Sequence, residues 1–381
     1  MAIKINNPFF TIGDIPEEYF CDRDAETKKI LRSVTNGSNL LIVSPRRMGK
    51  SKLILHAFKQ GEIRNNYLTF YIDLLHTSSL REFTYTFGMA VFKKLSTVSQ
   101  KALLSLVQSL KSIAGTFGFD AVTGLPTFTL ERGRITQPEF TLSEIFGWLE
   151  SSEISCIVCF DEFQRISQYE DNKHGEVEAL LRGHIQHLSN TRFIFSGSER
   201  HLLQEMFHSN AKPFFNSTEQ LDLAAIPEDA YIRFAEKHFL EYGKNIDTAA
   251  LRQYYELLEG TTFYMQKLLH EAFIDCDKGQ ICDERLLADT LDYIIEESTD
   301  GYKKMLGNLT ERQKSTLFAI AREGHAQRIL SVAFIKRHAL ESPSIVQTAI
   351  KKLIENDLVT IHNGEYFISD ILFQFFLRKG L

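Results

Sequence analysis

The feature that most constrains the fold is the segment Ser-Pro-Arg-Arg-Met-Gly-Lys-Ser at residues 44–51, which directly follows the apolar run Leu40–Val43. Short apolar runs of this kind are typical of buried strands. A strand that feeds a loop ending in Gly-Lys-Ser, with a helix opening at its end, is the arrangement that holds nucleotide phosphates. The segment therefore predicts a phosphate-binding loop between the first strand of a parallel sheet and a helix.

Each part of this loop has a chemical task. Gly49 lets backbone N–H groups approach a phosphate without a Cβ clash, Lys50 reaches the β- and γ-oxygens, and the Ser51 hydroxyl ligates Mg²⁺. Ser44, followed by Pro45, stands where such loops usually have their first glycine. The residues predicted to contact the nucleotide here are Ser44, Pro45, Arg46, Arg47, Met48, Gly49, Lys50, Ser51 and Lys52.

A second motif, about 110 residues further on, supplies two carboxylates. The continuous apolar run Ile157–Phe160 ends in Asp161 and Glu162. At the carboxyl edge of a buried strand, Asp161 would hold the Mg²⁺ shell through water, and Glu162 would polarise the water that attacks the γ-phosphate. A strand followed by a solvated acidic turn would explain a lone Asp-Glu pair. The two motifs together, in this order, favour a nucleoside triphosphatase that uses ATP and Mg²⁺.

Composition limits the classes of protein to consider. The chain has 381 residues, of which 44% are apolar and 24% charged, so it can bury a large core and is expected to form two or three domains. Its net charge of −6 argues against a surface that wraps nucleic acid. No apolar run approaches the ~18 residues that span a bilayer, and Met1–Phe10 lacks the layout of a secretion signal. The five cysteines are unpatterned, and we expect a reducing cytoplasm.

Two pairs of residues with metal-ligand spacing are better explained without a metal. Cys156 and Cys159 lie in a predicted buried strand, where their side chains would point to opposite faces. His184 and His187 could share a helix face, but no further Cys, His or acidic ligand is visible nearby, and metal sites need three or four. We interpret the first pair as small apolar residues and the second as part of a polar helix face.

The first 225 residues have the pattern of a doubly wound α/β domain. A helix is predicted from about Arg23 to Val34, where Asn36-Gly37 ends it. Further strands are predicted at Leu68–Asp73, Thr191–Phe195 and Glu219–Leu223, with helices at 80–110, 176–189 and 202–207. This alternation indicates a parallel sheet.

Alternating segments around Phe117–Asp120 and Thr127–Leu130 predict a β-hairpin inserted at about 115–132. Such a hairpin could contact a partner or be ordinary decoration of the sheet edge.

The sequence pattern changes after residue 226. From Pro227 to about Ser298 the pattern is wholly helical. Beyond it, a Thr310 cap opens a helix, Ser331–His338 and Ile345–Asn356 form two more, and an Asn-Gly turn joins strands at 358–361 and 365–368. Three helices followed by a two-stranded wing predict a winged helix-turn-helix.

These segments together resemble the prokaryotic and archaeal ATPases of the signal-transduction (STAND) branch related to AAA+ proteins. The resemblance covers essentially the full length of the chain. Its motifs are Phe20–Glu26, Ser44–Ser51, Ile157–Glu162, Phe195–Ser198, Lys212–Phe215, Gly260–Gln266 and the terminal winged helix. It implies a P-loop NTPase core over residues 1–225, an all-α lid over 226–305 and a winged helix domain over 306–381.

The resemblance also implies roles for single residues. In the family the segment that matches Phe20, Cys21, Asp22 and Arg23 packs near the adenine, although Asp22 replaces the usual glycine here and a simple helix start explains the same residues. The polar sensor side chain that faces the γ-phosphate corresponds by position to Ser198, for which an ordinary turn is the alternative.

Arginine, by contrast, is missing from its expected place. Family members often carry one after the Pro-Phe-aromatic segment, where this chain has Asn216. Such a residue is typically worth ~10³–10⁵ in rate, so slow turnover is expected. Arg200 could substitute, as could Arg46 or Arg47 acting across the interface of a homo-oligomer, unless they are ordinary surface residues. In the lid segment Gly260–Gln266, Thr262 stands where the family has proline.

We therefore predict an ATP-binding, Mg²⁺-dependent ATPase that works as a nucleotide-controlled regulatory switch. Between Leu309 and Leu381 there are ten Lys and Arg against seven Asp and Glu. This modest excess leaves two uses for the winged helix: a protein-contact or autoinhibitory role, or contact with DNA through Gln347, Lys351 and Lys352. The alternative function is accordingly a nucleotide-regulated DNA-binding protein.

Overall fold

The structure, a computed structural model, describes four stretches of the chain: residues 6–119, 126–128, 135–362 and 364–380. They form two compact units. The first unit comprises Ile12–Tyr231 and Thr261–Phe263. The second comprises the described part of residues 1–11, Ile232–Gly260 and the chain from Tyr264 onwards. The predicted three-domain boundaries near residues 225 and 305 stay a prediction.

Strands of the first unit are β1 (Leu40–Val43), β2 (Leu68–Asp73), β3 (Phe117–Phe119), β4 (Pro126–Phe128), β5 (Cys156–Asp161), β6 (Thr191–Gly197) and β7 (Glu219–Asp222). All but β3 and β4 form one parallel sheet in the order β2-β5-β6-β1-β7. The predicted doubly wound core is confirmed. Because β6 separates β1 from β5, the phosphate loop and the acidic pair reach each other across the carboxyl end of β6.

Helices of the first unit are α1 (Asp24–Thr35), α2 (Lys50–Lys59), α3 (Gly61–Arg64), α4 (Leu80–Val98), α5 (Gln100–Ser109), α6 (Pro138–Ser151), α7 (Glu176–Ile185) and α8 (Arg200–His208). The bounds of α1, β1 and β2 match the prediction to within one residue, whereas the short helix α3 was not predicted. Helix α6 is not among the predicted elements. Its signal was nevertheless present, in Pro138 at its first turn and in the helical spacing of Leu142, Ile145 and Phe146.

Both faces of the sheet are buried, which explains the continuous apolar runs of its central strands. Alternate residues of β5 belong to different hydrophobic clusters: Val158 and Phe160 to one, Ile157 to the other. Cys156 and Cys159 likewise lie on opposite faces, as predicted, and both are buried free thiols.

The predicted hairpin is present as the antiparallel pair β3–β4, with Phe117 opposite Phe128. Its predicted turn at 120–125, and the continuation from 129 to 132, lie outside the described residues.

The next elements lie wholly or mostly in the second unit: α9 (Glu228–Glu241), β8 (Asn245–Ile246), α10 (Thr248–Leu257), α11 (Thr262–Asp275), β9 (Ile281–Cys282), α12 (Glu284–Glu297) and α13 (Thr299–Gly307). The prediction of a wholly helical pattern over 227–298 is wrong in one respect, because β8 and β9 pair in parallel. Each has only two residues, too few for a period of two to be recognised.

Then come α14 (Glu311–Glu323), β10 (Ala326–Gln327), α15 (Val332–Arg337), α16 (Pro343–Glu355), β11 (Val359–His362), β12 (Glu365–Ile368) and α17 (Ile371–Lys379). The winged helix is confirmed, including the capping box of Thr310 and Gln313. Its wing is not two-stranded as predicted, because β10 adds to β12 as a third strand and α17 follows. Asn363, in the predicted turn, lies outside the described residues.

Candidate nucleotide site

The loop after β1 has the backbone of a phosphate cradle. Arg47 and Gly49 have positive φ values of 67° and 86°. Gly49 is the N-cap of α2, which begins at Lys50 without a side-chain cap. The first N–H groups of α2 therefore have no capping side chain, which suits an anion at this helix end.

Ser44 fits the position where such loops usually have glycine. It is not among the residues with positive φ, so this position does not require glycine. Its N–H donates to the carbonyl of Gly197 at 3.3 Å, and its hydroxyl donates to the carbonyl of Pro45 at 3.0 Å. Ser44 thus ties the start of the loop to the end of β6.

The structure brings the two predicted motifs together. The Lys50 Nζ lies 2.9 Å from Asp161 Oδ1 and 2.7 Å from Glu162 Oε1. The Ser51 hydroxyl donates to Asp161 Oδ2 at 2.7 Å. Residues about 110 positions apart in sequence thus form one hydrogen-bonded cluster at the carboxyl edge of the sheet.

Burial and the neighbouring charges shift the pKa values of Lys50 and Asp161 in this cluster. Lys50 is 7% exposed and Asp161 is 3% exposed. Burial alone would raise the pKa of Asp161, but the Lys50 charge and several hydrogen bonds outweigh it and lower that pKa to about 2. Burial would lower the pKa of Lys50, yet the two carboxylates outweigh it and raise that pKa. Both groups are therefore held in their charged forms.

Glu162 is held by three donors. Its Oε1 is bonded to Lys50, while its Oε2 accepts from the Ser198 hydroxyl at 2.9 Å and from Gln164 Nε2 at 2.6 Å. The backbone of Glu162 is left-handed, with φ 55°, a conformation that is costly for a non-glycine residue and is often found at functional sites. Arg46 Nε donates to Ser198 Oγ at 3.4 Å.

Three residues of the cluster were not among the predicted site residues: Tyr71, Gln164 and Ser196. The Tyr71 hydroxyl donates to Asp161 Oδ2, and the Ser196 hydroxyl donates to Asp161 Oδ1 at 2.6 Å. A signal for two of them existed, because Tyr71 and Ser196 lie near the carboxyl ends of β2 and β6, the strands on either side of β5. Recognising it requires the strand order.

The predicted adenine segment contacts the loop. Arg23 is 4% exposed, and its Nη2 donates to the carbonyls of Met48 at 3.3 Å and Ala224 at 2.8 Å. Asp22 is exposed with φ 52°, which explains why glycine would be suited to this position. Phe20 stacks on His56 with ring centroids 3.9 Å apart. Contact of these residues with adenine stays a prediction.

A short piece from the lid segment also contacts the loop. The Phe263 N–H donates to the carbonyl of Arg47 at 3.0 Å, and the Thr262 hydroxyl donates to the carbonyl of Met48 at 3.4 Å. The guanidinium of Arg47 lies 5.5 Å from the centre of the Phe263 ring. Lys52 points elsewhere, with its amine donating to the carbonyl of Gly13.

The arginines offered as substitutes for the missing one differ in their contacts. Arg200 forms an exposed ion pair with Asp222. Arg46 reaches Ser198, and Arg47 lies over Phe263, as described above. Asn216 has φ 49°, which asparagine tolerates well.

The residues present suit Mg²⁺ bound with a nucleotide. The Ser51 hydroxyl and the Asp161 carboxylate are hard oxygen donors, which Mg²⁺ prefers, and Mg²⁺ usually completes its shell with water and phosphate oxygens. In the part of the chain that the structure describes, no group of three or more His, Cys, Asp or Glu residues could hold a metal ion on its own.

Comparison with known proteins decides the family. The family described as "ATPase domain predominantly from Archaea" matches residues 20–268, more than half of the chain. The chain belongs to this family. It is an ATPase, and its loop and acidic pair lie within the matched region. A second description, "Probable winged helix domain", matches residues 300–379.

Solved structures share the fold along nearly the whole chain. The Walker-type ATPase paby2304 of Pyrococcus abyssi is 18% identical, with a TM-score of 0.66 over 97% of this chain and 99% of its own. The ORC2 protein of Aeropyrum pernix in its ADPNP-ADP complexes is 13% identical, with a TM-score of 0.60 over 99% of this chain and 96% of its own. None of the curated proteins matches the sequence.

The described helices lack the length and apolar character needed to cross a membrane.

Proposed function

We propose that this ATPase is a Mg²⁺-dependent regulatory switch that passes the state of its nucleotide to the winged helix. Lys50 and the loop amides bind the β- and γ-phosphates, Ser51 and Asp161 hold Mg²⁺, and Glu162 orients the attacking water, with Ser198 beside it. Bound Mg²⁺ neutralises charge on the phosphate oxygens. Phe20, Asp22 and Arg23 would contact the adenine.

Turnover in this proposal is slow. Asn216 replaces the arginine that often stabilises the charge of the transition state, a contribution typically worth ~10³–10⁵ in rate. Slow turnover suits a switch, because each nucleotide state then lasts long enough to be sensed by a partner.

The observation that supports the proposed switch is the set of contacts made by residues 259–264. In the first unit, Thr262 and Phe263 donate to the carbonyls of Met48 and Arg47 in the phosphate loop. In the second unit, the chain on either side contacts the winged helix. Glu259 Oε1 is 3.1 Å from His325 Nε2, and the Tyr264 hydroxyl donates to Asp370 Oδ1 at 2.8 Å.

Residues 259–264 therefore carry, within one short segment of the chain, contacts to the phosphate loop and contacts to the winged helix. Asp370 is the N-cap of α17, and its carboxylate accepts from the N–H groups of Leu372 and Phe373. Glu259 and Gly260 both have positive φ, 53° and 59°, so the segment begins at a tightly turned backbone. A loop that rearranges when phosphate binds would move Thr262 and Phe263, and with them the residues that bond to the winged helix.

Hydrogen exchange measured by mass spectrometry tests the proposed switch. We expect the exchange of residues 365–379 to differ between the ADP-bound protein and the protein bound to a non-hydrolysable ATP analogue. Tyr264→Phe keeps the ring but removes the bond to Asp370, so the difference should shrink. Tyr293→Phe, at an exposed position of α12, is the matched control and should retain it. Identical exchange with both nucleotides in the wild type would refute the switch.

DNA binding through α16 is the second candidate. The exposed lysines Lys351 and Lys352 favour it, although Lys352 is already paired with Glu355 at 2.6 Å. Gel-shift titration of duplex DNA at two salt concentrations separates the candidates. Salt-sensitive binding that is lost in Lys351→Glu/Lys352→Glu would support DNA recognition, and no binding at low salt would end it.

A further inference from the structure

Gln164 is a buried polar residue next to the proposed catalytic carboxylate. It lies in the short 3₁₀ turn Phe163–Gln168 after β5 and is 1% exposed. Its Nε2 donates to Glu162 Oε2 at 2.6 Å, whereas its Oε1 is buried and has no hydrogen-bond partner among the residues that the structure describes. A buried acceptor without a partner carries its full desolvation penalty, and such groups are rare enough in proteins to need an explanation.

The orientation of this amide follows from its neighbour. If the amide were reversed, its oxygen would face a carboxylate oxygen at hydrogen-bonding distance, with an acceptor against an acceptor. The nitrogen must therefore face Glu162, and this leaves Oε1 without a partner in the described part of the chain. The amide thus keeps its hydrogen bond to Glu162, while its Oε1 forgoes one.

Gly197, the last residue of β6, makes room for this arrangement. A Cβ at Gly197 would lie 2.0 Å from Gln164 Oε1 and 3.0 Å from its Cδ. Gly197 is not among the glycines with positive φ, so its backbone does not require glycine. The absence of a side chain at Gly197 is explained chiefly by the Gln164 amide, which makes the shortest of these contacts, and also by Leu203, whose Cδ1 would lie 3.0 Å from a Cβ.

We propose that Gln164 is a positioning residue for Glu162. With Ser198 it fixes Oε2, so that Oε1 is left to orient water once Lys50 binds phosphate instead of Glu162. This inference rests on the role proposed above for Glu162 as the residue that orients the attacking water. It assigns Gln164 a role in turnover and none in nucleotide binding.

The first test substitutes the amide alone. Gln164→Met keeps the length of the side chain and removes the donor. We expect kcat for ATP hydrolysis to fall by about tenfold to a hundredfold, the range for one hydrogen bond to a charged group. The KM for ATP and the affinity for a fluorescent ADP analogue should stay within about twofold of wild type, because Gln164 acts in turnover only. Gln168→Met, on the same turn but exposed, is the matched control with wild-type kcat.

The second test asks whether Gln164 acts through Glu162. If it does, the double variant Glu162→Gln/Gln164→Met should hydrolyse ATP no more slowly than Glu162→Gln alone, since the effects of residues that act as a unit are not additive.

Gly197→Ala disturbs the same contact from the end of β6, because the new Cβ displaces the Gln164 amide. It should reproduce the loss in kcat with nucleotide affinity retained. If Gln164→Met does not fold, Gly197→Ala and the shorter Gln164→Asn decide the question in its place.

Three results would overturn the inference. They are an unchanged kcat in Gln164→Met, a loss of nucleotide affinity as large as the loss of kcat, and losses that multiply in the double variant. Failure of the proposed function looks different, because turnover would then be unchanged in Glu162→Gln itself.

Discussion

The Lys50–Asp161 ion pair of the nucleotide site is buried, whereas the Arg312–Glu341 ion pair of the winged helix lies at the surface. Lys50 and Asp161 are almost fully buried, but the ion pair of Arg312 with Glu341 has both members more than half exposed. A buried cluster has to satisfy each of its members, so removing one leaves the others uncompensated. Exposed pairs contribute only ~0–1 kcal/mol each. The contrast predicts large effects of substitution in the site and small ones in the winged helix.

The largest effect is expected from Lys50→Ala. This change removes the cation shared by Asp161 and Glu162 and the group that would bind the phosphates. Affinity for ADP should fall by about a hundredfold, the upper range for one hydrogen bond to a charged group. The free energy of unfolding should fall by about 3 kcal/mol, because two neighbouring carboxylates lose their partner. Calorimetric titration and denaturant unfolding measure the two effects.

Lys59→Ala is the control for that experiment. Lys59 ends the same helix, α2, but it is exposed and paired with Asp14 at the surface. We expect both affinity and stability to stay near wild type. An ADP affinity in Lys50→Ala equal to that of Lys59→Ala would contradict the assignment of the loop.

An intermediate effect, dependent on pH, is expected from Asp161→Asn. The pKa of Asp161 is lowered from its ordinary 3.8 to about 2 in the folded protein. Its ionised form therefore stabilises the fold by about 2 kcal/mol above pH 4, and this contribution is lost as the pH falls towards 2. The difference in unfolding free energy between wild type and variant should be larger at pH 6 than at pH 3. Denaturant unfolding at the two pH values measures it, and a difference independent of pH would contradict the buried ion cluster.

The smallest effect is expected from Lys351→Glu/Lys352→Glu. Both lysines are exposed on α16, so the free energy of unfolding should change by less than ~0.5 kcal/mol. ATP hydrolysis should stay within about twofold of wild type, because neither side chain belongs to the nucleotide site. A steady-state phosphate-release assay checks this. A loss of hydrolysis comparable to that in Lys50→Ala would contradict the predicted difference between the nucleotide site and the winged helix.

The same contrast explains what could be predicted from the sequence. The strands β1 and β2 match their predictions residue for residue, and helix α2 begins at the end of the predicted loop, because the apolar runs and the Gly-Lys-Ser loop carry strong local signals. In the second unit, the two-residue strands β8, β9 and β10 escaped prediction. A strand of two residues is recognised only by the strand that it pairs with, and the local sequence does not show which strand that is.

The site residues likewise divide into those that the sequence predicts and those that it does not. Lys50, Ser51, Asp161 and Glu162 could be predicted because they sit in motifs with a chemical task. Tyr71, Gln164 and Ser196 could not, because their role comes from the order of strands and from the space that Gly197 leaves free. Prediction of such residues requires the three-dimensional arrangement first.

We propose that the loop binds the nucleotide and that Glu162 acts in its hydrolysis. Glu162→Gln tests both parts in one protein, with ATP affinity and phosphate release measured side by side. We predict that ATP affinity is retained while hydrolysis falls by ~10²–10⁴, the range for loss of a general base. Glu170→Gln, at an exposed position nearby, should hydrolyse ATP as the wild type does. Phosphate release from Glu162→Gln at the wild-type rate would contradict the account.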